Sequence, residues 1–358
     1  MRNEPTPTLA PEIPKRTHRK GLITRQMNTT VLGSGSWGTA LAILLGKKGY
    51  PVRLWGLPEE SSAILRDGEN ARYLPGTKLP ENVRATSDID DALDATEAVV
   101  LAIPSGGVRE VSSLVKGKFG EDVLLVHAGK GLESESGLRG SQVIAQELGS
   151  VIGGRCVVLS GPNLAVELAR GIPTATVVAS SDGGRAIKAQ EMFSSPSLRV
   201  YRNSDVAGVE LGGALKNVLA IGAGIAEGLG YGDNTKATVV TRGLVEMTRL
   251  GTALGANPAT FTGLSGFGDL MATCASQLSR NLRLGMMLGQ GTSVDESLRS
   301  LGQVAEGMPT CKAAYSLSRA HDVYMPITEQ IYAVLFEHKS PKQAVADLMA
   351  RDSKEELA

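Results

Sequence analysis

A chain of 358 residues that is 42% hydrophobic and 21% charged carries enough apolar material for two packed domains. Lysine plus arginine equals aspartate plus glutamate at 37 each, so there is no global basic field to draw nucleic acid or anionic lipid. Cys156, Cys274 and Cys311 are too few and too scattered for a disulfide framework, and the four histidines lack metal-ligand spacing, so no metal is expected.

Residues 1–27 are rich in proline and charge and contain no apolar core of a secretory signal. They read as a disordered tail. Met27, directly before the first strand-like run, offers an alternative translation start. The missing export signal and the unpaired cysteines point to the cytoplasm. From Asn28 onward strands and helices alternate. "TTVLG" and "PVRLWG" flank the helical "WGTALAILLGKKG", and further apolar runs follow at 98–104, 122–128, 155–161, 174–180 and 198–203. Continuous apolar strands alternating with helices imply a parallel sheet covered on both faces. After about Ser204 only helical patterns remain, at 205–229, 234–254, 280–290, 293–301, 309–321, 326–337 and 341–350. The fold class is therefore α/β: an N-terminal Rossmann-type doubly wound sheet over 28–203, then an all-helical domain over 204–358. The apolar stretch around 206–226 carries Glu210, Lys216 and Asn217, which argues against a membrane span.

"VLGSGSWGTA" sets Gly33, Gly35 and Gly38 in G-x-G-x-x-G spacing between the first strand and helix. In that context the string is a dinucleotide fingerprint: a tight turn, a close approach to pyrophosphate, and a helix packed on a strand. The alternative is a purely structural turn. An acidic residue expected at the end of the second strand is replaced by Trp55-Gly56-Leu57, and no basic residue follows. NAD and NADP both stay open.

Several polar residues stand in glycine-rich or apolar settings. Lys130, in "HAGKGLE", follows the fourth predicted strand, at the end of a parallel sheet where ligands bind. It is otherwise a solvated loop lysine. "GPNLAVELARG" offers helix-start amides, and Asp269 in "GFGDLMATC" is either a helix cap or an orienting carboxylate. Ser279, Arg280 and Asn281 open a helix, which suits a phosphate, although Ser279 is equally an N-cap. Lys216 is the sharpest case, a lone cation in "GGALKNVLAIGAGIAEG". A desolvated lysine releases its proton more readily and can then donate and accept one, whereas a lysine at a helix rim merely snorkels. The surrounding glycines imply close approach of the backbone to another helix or to a ligand. His127 reads as a packed strand histidine.

At these residues the chain resembles the NAD(P)-dependent glycerol-3-phosphate dehydrogenases of the soluble bacterial type. The blocks "GSGSWGTALA", "KGLE", "SGPNLAVELARGIPTA", "ELGGALKNVLAIGAGIAEGLGYGDNTKA", "RGLVEMTRLG", "GLSGFGDLMATC", "SRNLRLG", "GQVAEG" and "MPITEQIYAVL" occur in family order from about residue 28 to 350. The resemblance implies NAD- or NADP-dependent interconversion of sn-glycerol 3-phosphate and dihydroxyacetone phosphate, used to supply glycerol 3-phosphate for phospholipids. It also implies a homodimer. By motif, Lys216 corresponds to the proton acceptor and donor, Lys130 to a lysine touching substrate and cofactor, and Asp269 to the active-site aspartate. Gly161, Asn163, Asn217, Ser279, Arg280 and Asn281 fall on substrate positions. Gly33, Gly35, Ser36, Trp37, Gly38, Ala165, Val304 and Glu306 fall on cofactor positions, shared by Lys130 and Arg280. Two positions depart from the pattern: Asn163 where Thr or Ser is usual, and Leu57 where a basic or polar residue often lies near the adenosine 2′-phosphate. A β-hydroxyacid dehydrogenase, which shares the Rossmann-plus-helical plan, and a non-catalytic dinucleotide sensor are the competing readings.

Overall fold

The computed structural model describes residues 26–353, 355 and 356, so residues 1–25 of the expected tail lie outside the described residues. Eight strands form one sheet: β1 (Thr29–Leu32), β2 (Val52–Trp55), β3 (Val83–Thr86), β4 (Ala98–Leu101), β5 (Leu124–His127), β6 (Val157–Ser160), β7 (Thr174–Ala179) and β8 (Leu198–Asn203). Their spatial order is β3-β2-β1-β4-β5-β6-β7-β8. Strands β1, β4, β5 and β6 are buried along their whole length, which explains why apolar residues dominate them.

Two features differ from the sequence reading. β3, "VRAT", was not anticipated: it is an edge strand with Arg84 exposed, too polar to stand out from the turns around it. The sheet is also not wholly parallel. β7 runs antiparallel to β6, and β8 follows β7 in parallel. The chain leaving β6 makes only a six-residue helix, Ala165–Arg170, about 9 Å long, before re-entering the sheet. It stays at the same end of the sheet and so returns in the opposite direction, keeping Gly161 and Asn163 beside the other strand ends.

Beyond Asn203 the described residues are helical. The lysine helix, Val206–Gly228, is buried around nearly its whole circumference and is the axis of the second core. It is the one described helix long and apolar enough to cross a membrane, and 94% of its apolar window is buried inside the protein. The helices Asp233–Ala253, Asp269–Ala275, Arg280–Gly289 and Gly307–Ala320 all pack on it.

Of the two uses expected for the glycines of this helix, contact with another helix or with a ligand, the structure shows mainly the first. A Cβ at Gly224 would stand 2.1 Å from the Leu282 carbonyl oxygen, and one at Gly228 would stand 2.2 Å from that of Met286. From the opposite side, a Cβ at Gly285 would stand 2.0 Å from the Ile221 carbonyl oxygen, and one at Gly289 would stand 2.5 Å from that of Ile225. These glycines bring two helix backbones into contact rather than leaving room for ligand. Gly213 alone among the lysine-helix glycines faces the site, where a Cβ would lie 2.4 Å from Ser160 Oγ. The second helix of the pair begins at Arg280, so this close packing fixes the height of the Ser279-Arg280-Asn281 segment relative to Lys216.

Gly285→Val, which drives a branched side chain into a backbone carbonyl, should lower the stability by about 3 kcal/mol. Gly183→Ala, at a helix start with no atom within 4 Å of its added Cβ, should leave the urea midpoint nearly unchanged. Equal midpoints for the two variants would refute the close-contact reading.

Candidate active site

The glycine turn joins β1 to the helix Ser36–Lys47. Gly33 has φ +113°, a conformation natural only to glycine, and a Cβ at Gly38 would lie 1.9 Å from the Gly33 carbonyl oxygen. A Cβ at Gly35 meets no atom within 4 Å, so the turn is open on that side. The helix start has no side-chain cap and no acidic residue in its first turn. Its amides and dipole are thus available to a pyrophosphate, and the turn fits a dinucleotide. Ser36 is the first helical residue. Trp37 Nε1 donates to the Ala128 carbonyl oxygen at 2.9 Å, tying the turn to the end of β5.

Where the adenosine half of a dinucleotide is expected, Leu57 is 62% exposed at the start of the helix Pro58–Asp67. Glu60 on that helix accepts from Ser34 Oγ at 2.5 Å and from Tyr73 Oη at 2.8 Å, fastening the Tyr73 loop to the glycine turn. Neither feature selects between NAD and NADP.

Asp269 is the centre of the site. It begins the helix Asp269–Ala275 and its side chain is 2% exposed. Lys216 Nζ donates to its Oδ1 at 2.6 Å, and Lys130 Nζ donates to its Oδ2 at 2.7 Å. Lys216 Nζ also donates to Thr273 Oγ1 at 2.7 Å, and that hydroxyl donates to the Asp269 carbonyl oxygen at 2.6 Å. Lys130 Nζ further donates to the Gly161 carbonyl oxygen at 2.8 Å and lies 5.9 Å from the centre of the Trp37 ring. Burial, reinforced by the neighbouring Lys216 charge and opposed by Asp269, lowers the Lys130 ammonium to about 8.

This arrangement answers the puzzle of a lysine in a core helix. Lys216 is neither snorkelling nor unpaired. Two ammonium groups share one carboxylate, which leaves a net positive charge in an enclosed site. Such a site favours an anion, or an oxygen that gains negative charge during reaction.

Around this centre a chain of amides holds three helices together. Asn217 Nδ2 approaches the Lys130 carbonyl oxygen at 3.3 Å, and its Oδ1 accepts from Asn281 Nδ2 at 2.9 Å. Asn281 Oδ1 in turn accepts from the Gly307 amide at 2.9 Å. Both ends of the Asn281 side chain are therefore engaged within the protein. The same holds for Asn163, whose Oδ1 accepts from Thr176 Oγ1 at 2.8 Å and whose Nδ2 donates to the Ala175 carbonyl oxygen at 3.3 Å.

Ser279 is a buried N-cap whose Oγ accepts from the Leu282 amide at 3.2 Å. Arg280, the next residue, is half-buried; desolvation lowers its pKa and Glu306 opposes that shift. Glu306 accepts from Ser105 Oγ at 2.6 Å and from the Ser105 amide at 3.2 Å, joining the helical region to the end of β4. Burial raises the Glu306 carboxyl above its usual range. Val304 is half exposed nearby in sequence, and Ala165 opens its short helix on the sheet core. His127 is buried at the end of β5, and its Nδ1 has no hydrogen-bond partner.

Thr273 and Ser105 escaped the sequence reading. Thr273 stands four residues after Asp269, the spacing of one helix face, but a single threonine among apolar residues carries no signal of its own. Ser105 carries no local signal at all.

The comparisons agree with this geometry. The family described as NAD-dependent glycerol-3-phosphate dehydrogenase matches in two parts, its N-terminus over residues 28–186 and its C-terminus over residues 205–346. The glycerol-3-phosphate dehydrogenase [NAD(P)+] of Pelotomaculum thermopropionicum is 52% identical over 328 residues, covering 91% of this chain and 94% of that one. The protein of the same name from Geobacillus kaustophilus is 49% identical over 332 residues, covering 92% and 96%. The crystal structure of glycerol-3-phosphate dehydrogenase from Coxiella burnetii superposes with a TM-score of 0.88 at 38% identity, covering 91% of this chain and 99% of that one. With both parts of the family matched along nearly its whole described length, this chain belongs to the NAD-dependent glycerol-3-phosphate dehydrogenase family.

Proposed function

We propose that this chain interconverts sn-glycerol 3-phosphate and dihydroxyacetone phosphate, with Lys216 moving the proton. The observation that carries the reading is the single carboxylate of Asp269 shared by Lys130 and Lys216, with Lys130 beside Trp37 of the glycine turn. Bound NAD(P)H supplies the hydride in the reducing direction. The substrate phosphate is held by Arg280 and by the amides at the start of its helix, which use binding energy remote from the reacting carbon to orient it. Asn281 contributes through its backbone amide, because its side chain is engaged with Asn217 and Gly307. Lys130 and Lys216 polarise the ketone oxygen, and Lys216 gives it the proton. Asp269 holds both ammonium groups on that oxygen, and Thr273 fixes the direction of the Lys216 Nζ.

The reaction so placed supplies glycerol 3-phosphate for phospholipid synthesis in the cytoplasm, and the helical region is the contact surface of a homodimer. The test is an initial-rate measurement with dihydroxyacetone phosphate, unphosphorylated dihydroxyacetone and hydroxyisobutyrate, each with NADH and then NADPH. Turnover confined to the phosphorylated ketone supports the reading. Preference for hydroxyisobutyrate replaces it with a β-hydroxyacid dehydrogenase, and cofactor binding without turnover leaves only a sensor. Comparing the two coenzymes also measures the preference that Leu57 and Glu60 leave open.

Two further expectations follow from the same roles. Arg280→Ala should raise KM for dihydroxyacetone phosphate by about 100-fold, the loss of a charge-assisted contact worth 1.5–3 kcal/mol or slightly more. An unchanged KM removes Arg280 as the phosphate anchor. Lys130 must be an ammonium to polarise the ketone, and its pKa is lowered to about 8, so kcat/KM for reduction should fall as pH rises through about 8. Lys130→Arg, which stays charged, should move that fall to higher pH. A basic limb that does not move in the variant assigns it to another group.

A further inference from the structure

The loop that carries Lys130 is fastened at its far end by a residue of the lysine helix. Glu210 lies six residues before Lys216, about 9 Å along the same helix. Its side chain is 6% exposed. Glu210 Oε1 accepts from the Ser141 amide at 2.8 Å, and Oε2 accepts from Ser141 Oγ at 2.5 Å and from Arg139 Nη1 at 2.6 Å. Arg139 and Ser141 flank the start of the helix Gly140–Leu148, where the loop after β5 ends.

A short structural relay connects that grip to the site. Leu132 and Arg139 form an antiparallel β-bridge, and the Glu133 amide donates to the Leu138 carbonyl oxygen at 3.0 Å. Leu132, fully buried, packs into the helical core rather than into the sheet core. The outer side of the loop is held by Arg109, which donates to both Glu133 carboxylate oxygens at 2.8 Å. Moving Arg139 therefore moves Leu132, and Lys130 is only two residues away. At the near end, Asn217 of the lysine helix reaches the Lys130 carbonyl oxygen. The same helix thus holds the loop at both ends.

Glu210 caps the Ser141 amide of the Gly140–Leu148 helix, while Gln142 Oε1 accepts from the neighbouring Arg139 amide at 3.0 Å. A Ser, Thr or Asp at position 139 would cap that helix start locally. Bringing a carboxylate from the helical region into a buried position adds a desolvation cost that local capping avoids. What the distant carboxylate adds is register between the two regions that each supply one lysine.

We infer that Glu210 is a positioning residue for Lys130: it sets the Lys130 loop against the lysine helix so that one carboxylate meets both ammonium groups. This rests on the proposed role of Lys130. Misplacing a group by about 1 Å from a distance can cost about 100-fold in rate. Glu210→Ala should accordingly lower kcat/KM for dihydroxyacetone phosphate by about 10- to 100-fold, mainly in kcat, with NADH affinity unchanged. Glu210→Gln, which keeps an acceptor for Ser141, should recover part of the loss.

The deciding experiment is a double-mutant cycle of Glu210→Ala with Lys130→Ala, read in kcat/KM. Because Glu210 acts through Lys130, the double variant should be no slower than Lys130→Ala alone. Additive losses overturn the inference, as does a Glu210→Ala protein that is less stable but turns over normally. If Glu210→Ala fails to fold, Arg139→Met takes its place in the cycle with the same two outcomes. Near-normal kcat/KM in Lys130→Ala alone would remove the reading of Lys130 itself, and the inference with it. A loss in Lys130→Ala with additivity in the cycle would remove only Glu210.

Discussion

Lys216→Ala should lower kcat for dihydroxyacetone phosphate reduction by about three orders of magnitude, the usual contribution of a positioned general acid. NADH affinity should change by less than about twofold, because the glycine turn is built on β1 and the helix Ser36–Lys47, whereas Lys216 bonds to Asp269 and Thr273. The split between a large kcat effect and a small binding effect is what separates a proton donor from a structural lysine. A snorkelling or merely space-filling lysine would yield a protein with altered stability and ordinary turnover. The Lys216 ammonium is held by Asp269 at 2.6 Å and Thr273 at 2.7 Å, so its direction is fixed before substrate arrives. That fixed direction is why no neighbouring lysine is expected to substitute for it: Lys130 is tethered to the other oxygen of Asp269 and to Gly161.

Asp269→Ala should be the most damaging single change to both stability and rate. It leaves two buried ammonium groups facing each other without a counter-charge, and breaking a buried pair in this way costs about 3–5 kcal/mol. Turnover should fall at least as far as in Lys216→Ala, since both lysines lose their orientation together. Asp269→Asn, equal in size but neutral, should keep the packing and still lose the rate. Paired denaturant unfolding and steady-state rates check this. A full-rate Asp269→Asn enzyme would mean that the carboxylate charge has no part in the chemistry.

Much of the scaffold is legible because its signals are local. Buried parallel strands are dominated by apolar residues, and the glycine turn has a fixed spacing in a strand-to-helix setting. Helix ends in the second half carry capping residues, as with Ser293 and Ser340, whose hydroxyls accept from Glu296 and Gln343 amides. β3 was missed because Val83 and Ala85 are its only apolar residues, alternating with Arg84 and Thr86. The reversal at β7 was missed because strand direction depends on which end of the sheet a connection stays at, and apolar content does not encode that.

The site was legible in its members but not in its connections. Lys130, Lys216 and Asp269 each stood out as polar residues in apolar or glycine-rich surroundings. That one carboxylate serves both lysines is a fact about three segments meeting across 53 and 139 positions of sequence separation. Which of two uses the glycines around Lys216 serve, helix contact or ligand contact, is hidden for the same reason. The contact partners of Gly224 and Gly228, Leu282 and Met286, lie on a helix remote in sequence, so the glycine stripe alone does not say that it is a helix–helix contact. Asn163 and Asn281, placed on substrate positions by motif, each engage one side-chain N–H and the amide oxygen with Thr176, Ala175, Asn217 and Gly307, links that no sequence pattern announces.

The most direct test of Lys216 as the proton donor is the rate of NADH oxidation by Lys216→Ala at saturating dihydroxyacetone phosphate, titrated with methylammonium. A small amine that enters the vacated volume can replace the missing ammonium on Asp269. A rate that starts about three orders of magnitude low and rises saturably with amine is the predicted result. A rate equal to that of the unaltered protein before any amine is added would contradict the assignment.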